Sequence, residues 1–456
     1  MPTRAFVGSK GLGDCGCWDL IGVGTGPANL SVAALLAKFT AKTALFLERQ
    51  TDFHWHPGML LPRSELQVNV LKDLVTPVDP TNPCSFLNFI VESGRFYAHL
   101  TADFERVHRM EYDQYLRWVI SRLPNVMPGC GVTDIVYDET FRVVAPSVQL
   151  RSRGLSIAIG PAPFIPVAAQ GFLHPAVIHS SAFATDFESV AAGRAPHRVL
   201  IVGGGQSGAE IFQSLLGQPD RFARVDWVTR RNGLPPLDEA HFSNEFFSPQ
   251  YARYFDSLSS SARSKDFLSK KLLNDGISQH TLGEIYRDLY FLRYLKGCDN
   301  KYNIHANTEL ISLAGSASGG INAQLRNTLD NTAFELAPSI VVLCTGYQYK
   351  FPSILENACR GRLDFQNFET DSGFRLIWDG PEDRPIYLLN SGSQNCGVAD
   401  RDLSLMAWRA ASVVNSLLDY AAYQTIPSTP SMFALPEASP SWPNANKLYG
   451  HERIAE

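Results

Sequence analysis

The chain has 456 residues, of which 45% are hydrophobic and 19% charged, so it is long enough to bury the cores of two or three domains. Its 40 basic and 45 acidic residues leave a net charge of −5, which argues against a nucleic-acid-binding protein with a basic surface stripe. No run of about 18 apolar residues exists, so we expect no membrane span. The chain starts without the apolar core of a secretory signal, and its eight cysteines are scattered without a CxxC pair. We therefore expect a reduced, cytoplasmic protein without a metal site.

A first nucleotide-binding unit follows a leader, residues 1–17, that we expect to be flexible. Residues 19–23 predict a buried strand, residues 30–37 a helix and residues 43–47 a second strand that ends at Glu48. The turn between strand and helix carries a dinucleotide fingerprint, formed by Gly22, Gly24, Gly26 and Asn29. Asn29 stands where the third glycine is usual, so helix–strand packing must accept a larger side chain. Glu48 lies where an acceptor for a ribose hydroxyl belongs, although an ordinary glycine-rich turn is the alternative.

A second unit repeats this order in the middle of the chain. Residues 198–202 predict a strand, residues 209–216 a helix and residues 225–229 a further strand. The complete GxGxxG fingerprint between strand and helix consists of Gly203, Gly205, Gln206, Ser207 and Gly208. Arg230 and Arg231 follow the last strand, where they suit the 2′-phosphate of NADPH unless they are solvated surface charges.

Two dinucleotide folds in one chain imply an electron donor and a bound acceptor, usually FAD first and a nicotinamide second. We therefore predict an α/β protein with two Rossmann-like domains and a small, mostly helical substrate lobe. The second glycine loop at residue 203 and the return of the chain near residue 340, at a strand followed by Thr345-Gly346-Tyr347, predict an FAD domain in two segments, residues 18–190 and 341–456. The NADPH domain is predicted at residues 191–340, where residues 233–305 contribute the lobe and residues 306–340 form β hairpins.

Long and unusual runs surround these two turns. They are GVGTGPANLSVAAL, FHWHPGMLLP, LQVNVLKDLVTPVDPTNPCSFLNF, YDQYLRWV, VGGGQSGAEIF, VTRRN, LDEAHFSNEFFSP and LSLMAWRAA. They resemble the flavin-dependent N-hydroxylating monooxygenases of siderophore biosynthesis, the lysine N6-hydroxylase/ornithine N5-monooxygenase family. The resemblance covers roughly residues 18–421.

The resemblance implies an enzyme in which NADPH reduces FAD and the reduced flavin takes up O₂ as a C4a-hydroperoxide. The neutral terminal amine of a small-molecule substrate then receives the distal oxygen and becomes a hydroxylamine. A free alkylamine has a pKa near ~10.4, so the site must favour the uncharged amine. A homo-oligomer is also implied by the resemblance alone.

Individual positions take their expected roles from the same resemblance. The amine site would include Lys72 as partner of a substrate carboxylate, Gln67 beside the flavin ring, Asn244 as a substrate contact and Ser404 near the substrate amine. Four further residues would lie along the cofactor: Trp55, His56, Thr345 and Gly346.

Each position also has a plainer interpretation. Lys72 could be a surface lysine, Trp55 a core residue, His56 a turn histidine, Asn244 a helix cap, and Gly346 a strand-end turn.

The substrate branch is open at this stage. The Asn274-Asp275-Gly276 run does not match the ornithine enzymes and favours the lysine branch, whose relatives include enzymes for 1,3-diaminopropane, putrescine or cadaverine. Cys396 and Ile159 replace residues that are usual in the family. The alternatives are an ornithine N5-hydroxylase, a different flavoenzyme, or a non-catalytic flavin-binding redox sensor.

Overall fold

The computed structural model describes residues 16–193, 196–298, 300–316, 320–390, 396–426 and 430–436. The predicted flexible leader therefore lies outside the described residues, apart from residues 16 and 17. No helix in the described part of the chain is long and apolar enough to span a membrane.

The described strands form four sheets. In chain order they are β1 (Trp18–Val23), β2 (Ala44–Leu47), β3 (Val126–Met127), β4 (Asp134–Asp138), β5 (Thr140–Ala145), β6 (Val148–Ile157), β7 (Ala162–Pro163), β8 (Val177–His179), β9 (His197–Val202), β10 (Phe222–Val228), β11 (Tyr302–His305), β12 (Thr308–Gly315), β13 (Ile321–Asn327), β14 (Ala333–Leu336), β15 (Ile340–Leu343), β16 (Tyr347–Gln348) and β17 (Ile386–Leu388).

The helices connect and cover these strands. They are α1 (Pro27–Leu36), α2 (Phe86–Glu92), α3 (Phe96–Ala102), α4 (Arg109–Arg122), α5 (Phe183–Val190), α6 (Gln206–Leu216), α7 (Pro249–Ser257), α8 (Ser260–Ser269), α9 (Leu272–Asp275), α10 (Gln279–Tyr290), α11 (Glu356–Cys359) and α12 (Met406–Leu418). Single 3₁₀ turns lie at Pro57–Met59, Val167–Ala169, Ser180–Ala182, Pro219–Arg221, Ser243–Phe247, Ser353–Leu355, Gly397–Arg401 and Leu403–Leu405, and a π-helical turn at Phe291–Leu295 follows α10.

The first sheet has a parallel centre and an antiparallel edge. Its order is β3-β2-β1-β6-β5-β4, and β17 pairs with β6. β1 runs parallel to β2 and β6, whereas β4, β5 and β6 form an antiparallel meander. β2 is buried along its whole length because α1, α4 and α12 cover one face and a second apolar cluster covers the other.

The second sheet is parallel throughout, in the order β11-β10-β9-β15-β8. Its apolar strands pack on one face against α5, α6 and α10 and on the other against the hairpins β12-β13-β14. The predicted fold class, an α/β protein with two Rossmann-like units, is confirmed. The predicted hairpins within residues 306–340 are present as β12, β13 and β14.

Strand pairing moves the boundaries that we predicted between the two units. We placed residues up to 190 and from 341 onward in the FAD domain, but β8 and β15 are both hydrogen-bonded members of the second sheet. β11 also belongs to the second sheet, although its residues lie at the end of the range 233–305 that we predicted as a helical lobe. The cause is tertiary pairing, which the local strand pattern does not encode.

The chain crosses between the two sheets twice, and the two crossings pair with each other. β7 follows β6 of the first sheet and precedes β8 of the second, while β16 follows β15 and precedes β17. β7 and β16 form a two-stranded antiparallel sheet. We therefore propose that the two-segment FAD domain and the inserted NADPH domain meet at this small sheet.

Candidate active site

The first glycine turn has the geometry that a pyrophosphate requires. Gly24 adopts a φ of +81°, and a Cβ there would lie 2.6 Å from the Ala158 carbonyl oxygen, so only glycine fits. Gly26 caps α1, and nothing lies within 4 Å of where its Cβ would be. A Cβ on Gly22 would instead collide with the Phe46 ring. The open helix N-terminus can therefore receive a phosphate group on its backbone N–H groups, as FAD binding needs.

Asn29 does more than replace the third glycine of this fingerprint. The side chain is completely buried, and its Nδ2 group lies 3.2, 2.8 and 3.1 Å from the carbonyl oxygens of Val23, Gly24 and Ser156. Its Oδ1 atom accepts a hydrogen bond of 2.6 Å from the Ser156 hydroxyl. Asn29 therefore ties β1, the glycine turn and β6 together.

Glu48 lies at the same turn, as its position after β2 predicted. Its Oε2 atom accepts hydrogen bonds from the backbone N–H and the hydroxyl of Thr25, at 2.9 and 3.0 Å. Its Oε1 atom accepts from the Gln50 backbone N–H at 2.9 Å. A carboxylate has about four acceptor sites, so Glu48 keeps capacity for a ribose hydroxyl.

Trp55 and His56 form a stacked pair at the entrance to the turn Pro57–Met59. Their ring centroids are 4.2 Å apart, and Asp113 accepts the Trp55 backbone N–H at 2.6 Å. His56 adopts a φ of +51°, which is uncommon for a residue other than glycine. Part of the His56 side chain is exposed to solvent. The surrounding protein nevertheless removes much of the hydration of the ring, and this is the larger of two effects that lower its pKa to about 4. The nearby positive charge of Arg109 is the smaller effect and acts in the same direction. The ring is thus neutral near pH 7 and can lie against an electron-rich cofactor without adding charge.

The second glycine loop is closely packed where it meets the sheet and open at the helix. Gly203 has a φ of +128°, and its Cβ would lie 2.0 Å from the Cys344 carbonyl oxygen. A Cβ on Gly208 would lie 2.4 Å from the Gly203 carbonyl oxygen, which explains the third glycine. Gly205 caps α6 with open space in front of it, as a dinucleotide pyrophosphate requires.

Gln206 and Ser207 begin α6, and they differ in their contacts. The Gln206 Nε2 group donates to Glu210 and Thr281, and its Oε1 atom accepts the Ser278 backbone N–H at 2.9 Å, so Gln206 fixes the start of α10. Ser207 is half-exposed in the first turn of the helix. The two side chains are similarly exposed, but the Gln206 amide is engaged by the protein, whereas the Ser207 hydroxyl makes no hydrogen bond with any residue that the structure describes.

Arg230 and Arg231 are not equivalent. The Arg231 guanidinium donates to the backbone carbonyls of Gly204 and Asp275, so it holds the glycine loop against the segment after α9. Arg230 is exposed and makes no hydrogen bond or ion pair with any residue that the structure describes. The structure thus leaves Arg230 as the cation available for a 2′-phosphate.

Thr345 and Gly346 lie at the crossing between the two sheets. The Thr345 hydroxyl donates to the Phe164 carbonyl at 2.5 Å, and Gly346, with a φ of +80°, accepts the Phe164 N–H at 2.9 Å. The His179 Nε2 atom lies 3.1 Å from the same Gly346 oxygen, and burial lowers the His179 pKa. Both residues therefore fasten β16 to β7, and any cofactor contact would be additional.

Lys72 and Ser404 lie far apart in the sequence, but the fold brings their side chains into contact. The Lys72 ammonium donates to the Ser404 hydroxyl at 2.9 Å. Ser404 is 8% exposed, in the turn before α12, and Asp402 accepts its backbone N–H at 2.6 Å. The carboxylate of Asp73 accepts three backbone N–H groups, which fixes the loop that carries Lys72. The pair offers a cation and a hydroxyl to one polar ligand.

Gln67 and Asn244 are joined through two residues that the sequence analysis missed. The Arg106 guanidinium donates through Nη1 to the Gln67 side-chain oxygen and through Nη2 to Glu239 at 2.6 Å. The exposed Asn244 side chain lies 3.4 Å from the Glu239 backbone carbonyl. Arg106 lies in no fingerprint and has other charged residues around it, Asp103, Glu105 and Arg109, so no feature of the sequence singles it out.

The positions that departed from the family pattern have structural roles. Asn274 donates to the Val398 carbonyl at 2.7 Å and so joins α9 to the turn Gly397–Arg401. Cys396 is buried, and burial raises the pKa of its thiol. Ile159 is 50% exposed beside the first glycine turn. None of these replacements disturbs the two glycine turns.

A sequence model described as L-lysine 6-monooxygenase/L-ornithine 5-monooxygenase matches residues 16–349. The chain is 34% identical to L-lysine N6-monooxygenase of Escherichia coli, with 88% of this chain and 94% of the relative covered. It is 31% identical to putrescine N-hydroxylase of Shewanella oneidensis, with 89% and 82% covered. The FAD-bound cadaverine monooxygenase of desferrioxamine biosynthesis from Erwinia amylovora has a similar structure, with a TM-score of 0.83, 27% identity, and 92% of this chain and 99% of that chain covered.

Proposed function

The chain belongs to the L-lysine 6-monooxygenase/L-ornithine 5-monooxygenase family, and from this premise we propose that it hydroxylates the terminal amine of lysine or of a short diamine. It is a flavin-dependent N-hydroxylating monooxygenase of siderophore biosynthesis that uses FAD and NADPH. The observation that carries the substrate proposal is the contact between Lys72 and Ser404. When bound, reduced FAD would supply the electrons that activate O₂ for transfer of one oxygen atom to the amine.

The two glycine turns would hold the cofactors. The N-terminus of α1, with Gly24 and Gly26, would receive the FAD pyrophosphate, and Glu48 would bind its ribose. The N-terminus of α6 and Arg230 would hold NADPH. These are roles for groups that the structure leaves open or with spare hydrogen-bonding capacity.

Lys72 and Ser404 would bind adjacent polar groups of the substrate, because the Lys72 Nζ and Ser404 Oγ atoms are only 2.9 Å apart. An ammonium ion such as Lys72 pairs with a carboxylate, which lysine has and diamines lack. The Ser404 hydroxyl can accept a hydrogen bond from a substrate amine.

Relatives support lysine and the diamines in different ways. The related proteins are named for lysine, putrescine and cadaverine, and these amines share a terminal primary amine on an alkyl chain. Chain lengths that differ by one methylene change binding by only ~1–3 kcal/mol, which makes the carboxylate the sharper discriminator. An ornithine hydroxylase is the second candidate, since an ornithine oxygenase also matches the chain.

Lysine and cadaverine form a matched pair for testing Lys72, because they differ only in the carboxylate. In Lys72→Met, which keeps a side chain of similar length, we expect the KM for lysine to rise about tenfold or more, as for the loss of one charge-assisted contact. The KM for cadaverine should not rise. Hydroxylamine formation by the wild type with a diamine alone would keep the reaction and remove this role of Lys72. An unchanged KM for lysine in the variant would contradict the carboxylate anchor.

A further inference from the structure

The Arg106 guanidinium bridges two segments that carry predicted residues of the amine site, since it binds both Gln67 and Glu239. Gln67 precedes Lys72 by five positions on one side, and Glu239 and Asn244 lie on the segment between β10 and α7 on the other. The Arg106 side chain is 15% exposed and that of Glu239 25%, so water screens the pair less than on an open surface. We infer that Arg106 is a positioning residue that orients the Gln67 amide and holds the Asn244 segment.

The guanidinium of Arg106 can only donate hydrogen bonds, and this fixes the orientation of the Gln67 amide. Arginine carries only N–H donors, so it can face only the oxygen of the Gln67 amide. The NH₂ group of Gln67 is therefore directed away from Arg106, where it can donate to another group. Without Arg106, both amide orientations become available.

The second arm of Arg106 acts on Asn244. The Nη2 group binds the Glu239 carboxylate at 2.6 Å, and the Glu239 backbone carbonyl lies 3.4 Å from the Asn244 Nδ2 group. The Asn244 backbone N–H also donates to the Ala240 carbonyl at 3.1 Å. Fixing Glu239 therefore limits the positions that the Asn244 amide can take.

A second anchor holds the far end of the same segment. The Glu245 carboxylate accepts from the Ser431 hydroxyl at 2.6 Å and from the Met432 N–H at 3.0 Å, and the Phe246 ring stacks on Phe433 at 5.4 Å. The segment is thus held on two sides, by Arg106 and by residues 431–433. Only the Arg106 anchor also reaches Gln67.

This inference rests on the proposed function, and the test uses the FAD-loaded full chain with NADPH and whichever of lysine, 1,3-diaminopropane, putrescine and cadaverine the wild type hydroxylates fastest. Three quantities are measured: the KM for the amine, the hydroxylamine formed per NADPH oxidised, and the rate of flavin reduction by NADPH. Arg106→Ala is compared with Glu239→Ala and Glu239→Gln. Arg326→Ala and Glu309→Ala are the controls, because they break an ion pair across the hairpin β12–β13.

In Arg106→Ala we expect the amine KM to rise about tenfold and more NADPH to be lost to hydrogen peroxide, since one guanidinium carries two charge-assisted hydrogen bonds. Glu239→Ala should raise the KM and leave the hydroxylamine yield intact, because Gln67 keeps its partner. Glu239→Gln retains an acceptor and should lie between Glu239→Ala and the wild type. Flavin reduction should stay within about twofold in all of them, as for the controls.

Equal KM and yield in Arg106→Ala and the hairpin controls would overturn the inference. If Arg106→Ala fails to fold, Glu239→Ala becomes the test of the inference, and an unchanged amine KM in Glu239→Ala would overturn the role of Arg106. A rise of the amine KM together with a fall of both hydroxylamine yield and flavin reduction in every Arg106 and Glu239 variant would mark general destabilisation and also overturn it. A wild type that forms no hydroxylamine would overturn the proposed function itself, and this inference with it.

Discussion

Replacing Asn29 with alanine removes a buried amide that joins three segments around the first glycine turn. The two N–H donors of the amide are shared among three carbonyl oxygens, and its oxygen accepts one hydroxyl. Three hydrogen bonds at about 1 kcal/mol each give a loss of about 3 kcal/mol. Alanine recovers about 0.5 kcal/mol through its higher helix propensity, so we expect a net loss of about 2.5 kcal/mol.

The assay is urea unfolding of the FAD-loaded protein, with FAD held at one concentration because bound ligand adds to stability. Ser156→Ala is the matched control, since it removes only the hydroxyl that Asn29 accepts, and we expect a loss of about 1 kcal/mol. The double variant should show a coupling energy of about 1 kcal/mol between the two positions. A loss below about 1 kcal/mol in Asn29→Ala would refute the reasoning, because the side chain would then only fill space.

Two further predictions concern the second cofactor loop and pH. Arg230→Ala should raise the KM for NADPH about tenfold without changing that for NADH, because only NADPH carries the 2′-phosphate. Arg231→Ala should weaken the binding of both NADPH and NADH, because it releases the glycine loop at Gly204. Steady-state kinetics with each coenzyme distinguish the two variants, and equal changes of KM in Arg230→Ala and Arg231→Ala would contradict the role of Arg230 at the 2′-phosphate. His56 has a folded-state pKa of about 4 against 6.5, so its contribution to stability is complete above pH 6.5 and is lost as the pH falls towards 4. His56→Asn, which tolerates the positive φ, should therefore lose less stability between pH 7 and 5 in urea unfolding, and equal losses would contradict the lowered pKa.

Local sequence signals predicted the parts of the fold that form locally. Strand, glycine turn and helix follow one another along the chain within each unit. Glycine is required at positions 24 and 203 because any larger side chain would collide with the neighbouring backbone. Within these two units, the predicted limits of helices and strands differ from the observed ones by only a few residues. We predicted the first helix at residues 30–37, and α1 begins at Pro27 because proline suits the first turn of a helix.

Tertiary pairing determined what the sequence did not reveal. β15 is an apolar strand whichever sheet it joins, and only its register with β8 and β9 assigns it to the second sheet. The family resemblance assigned Lys72 and Ser404 to the amine site, but nothing in the sequence predicted the direct contact between their side chains. Arg106 carried no signal at all, because its function depends on two partners that are distant in sequence.

The central claim is N-hydroxylation of a terminal amine, and it is tested most directly by hydroxylamine formation. The FAD-loaded protein would be given NADPH, O₂ and, in turn, lysine, ornithine, 1,3-diaminopropane, putrescine and cadaverine. NADPH oxidation alone is not sufficient, because release of hydrogen peroxide also consumes it. We predict hydroxylamine product with lysine or with a short diamine. Flavin reduction by NADPH without hydroxylamine from any of these amines would contradict the account and favour a flavin-binding redox sensor or another oxidase.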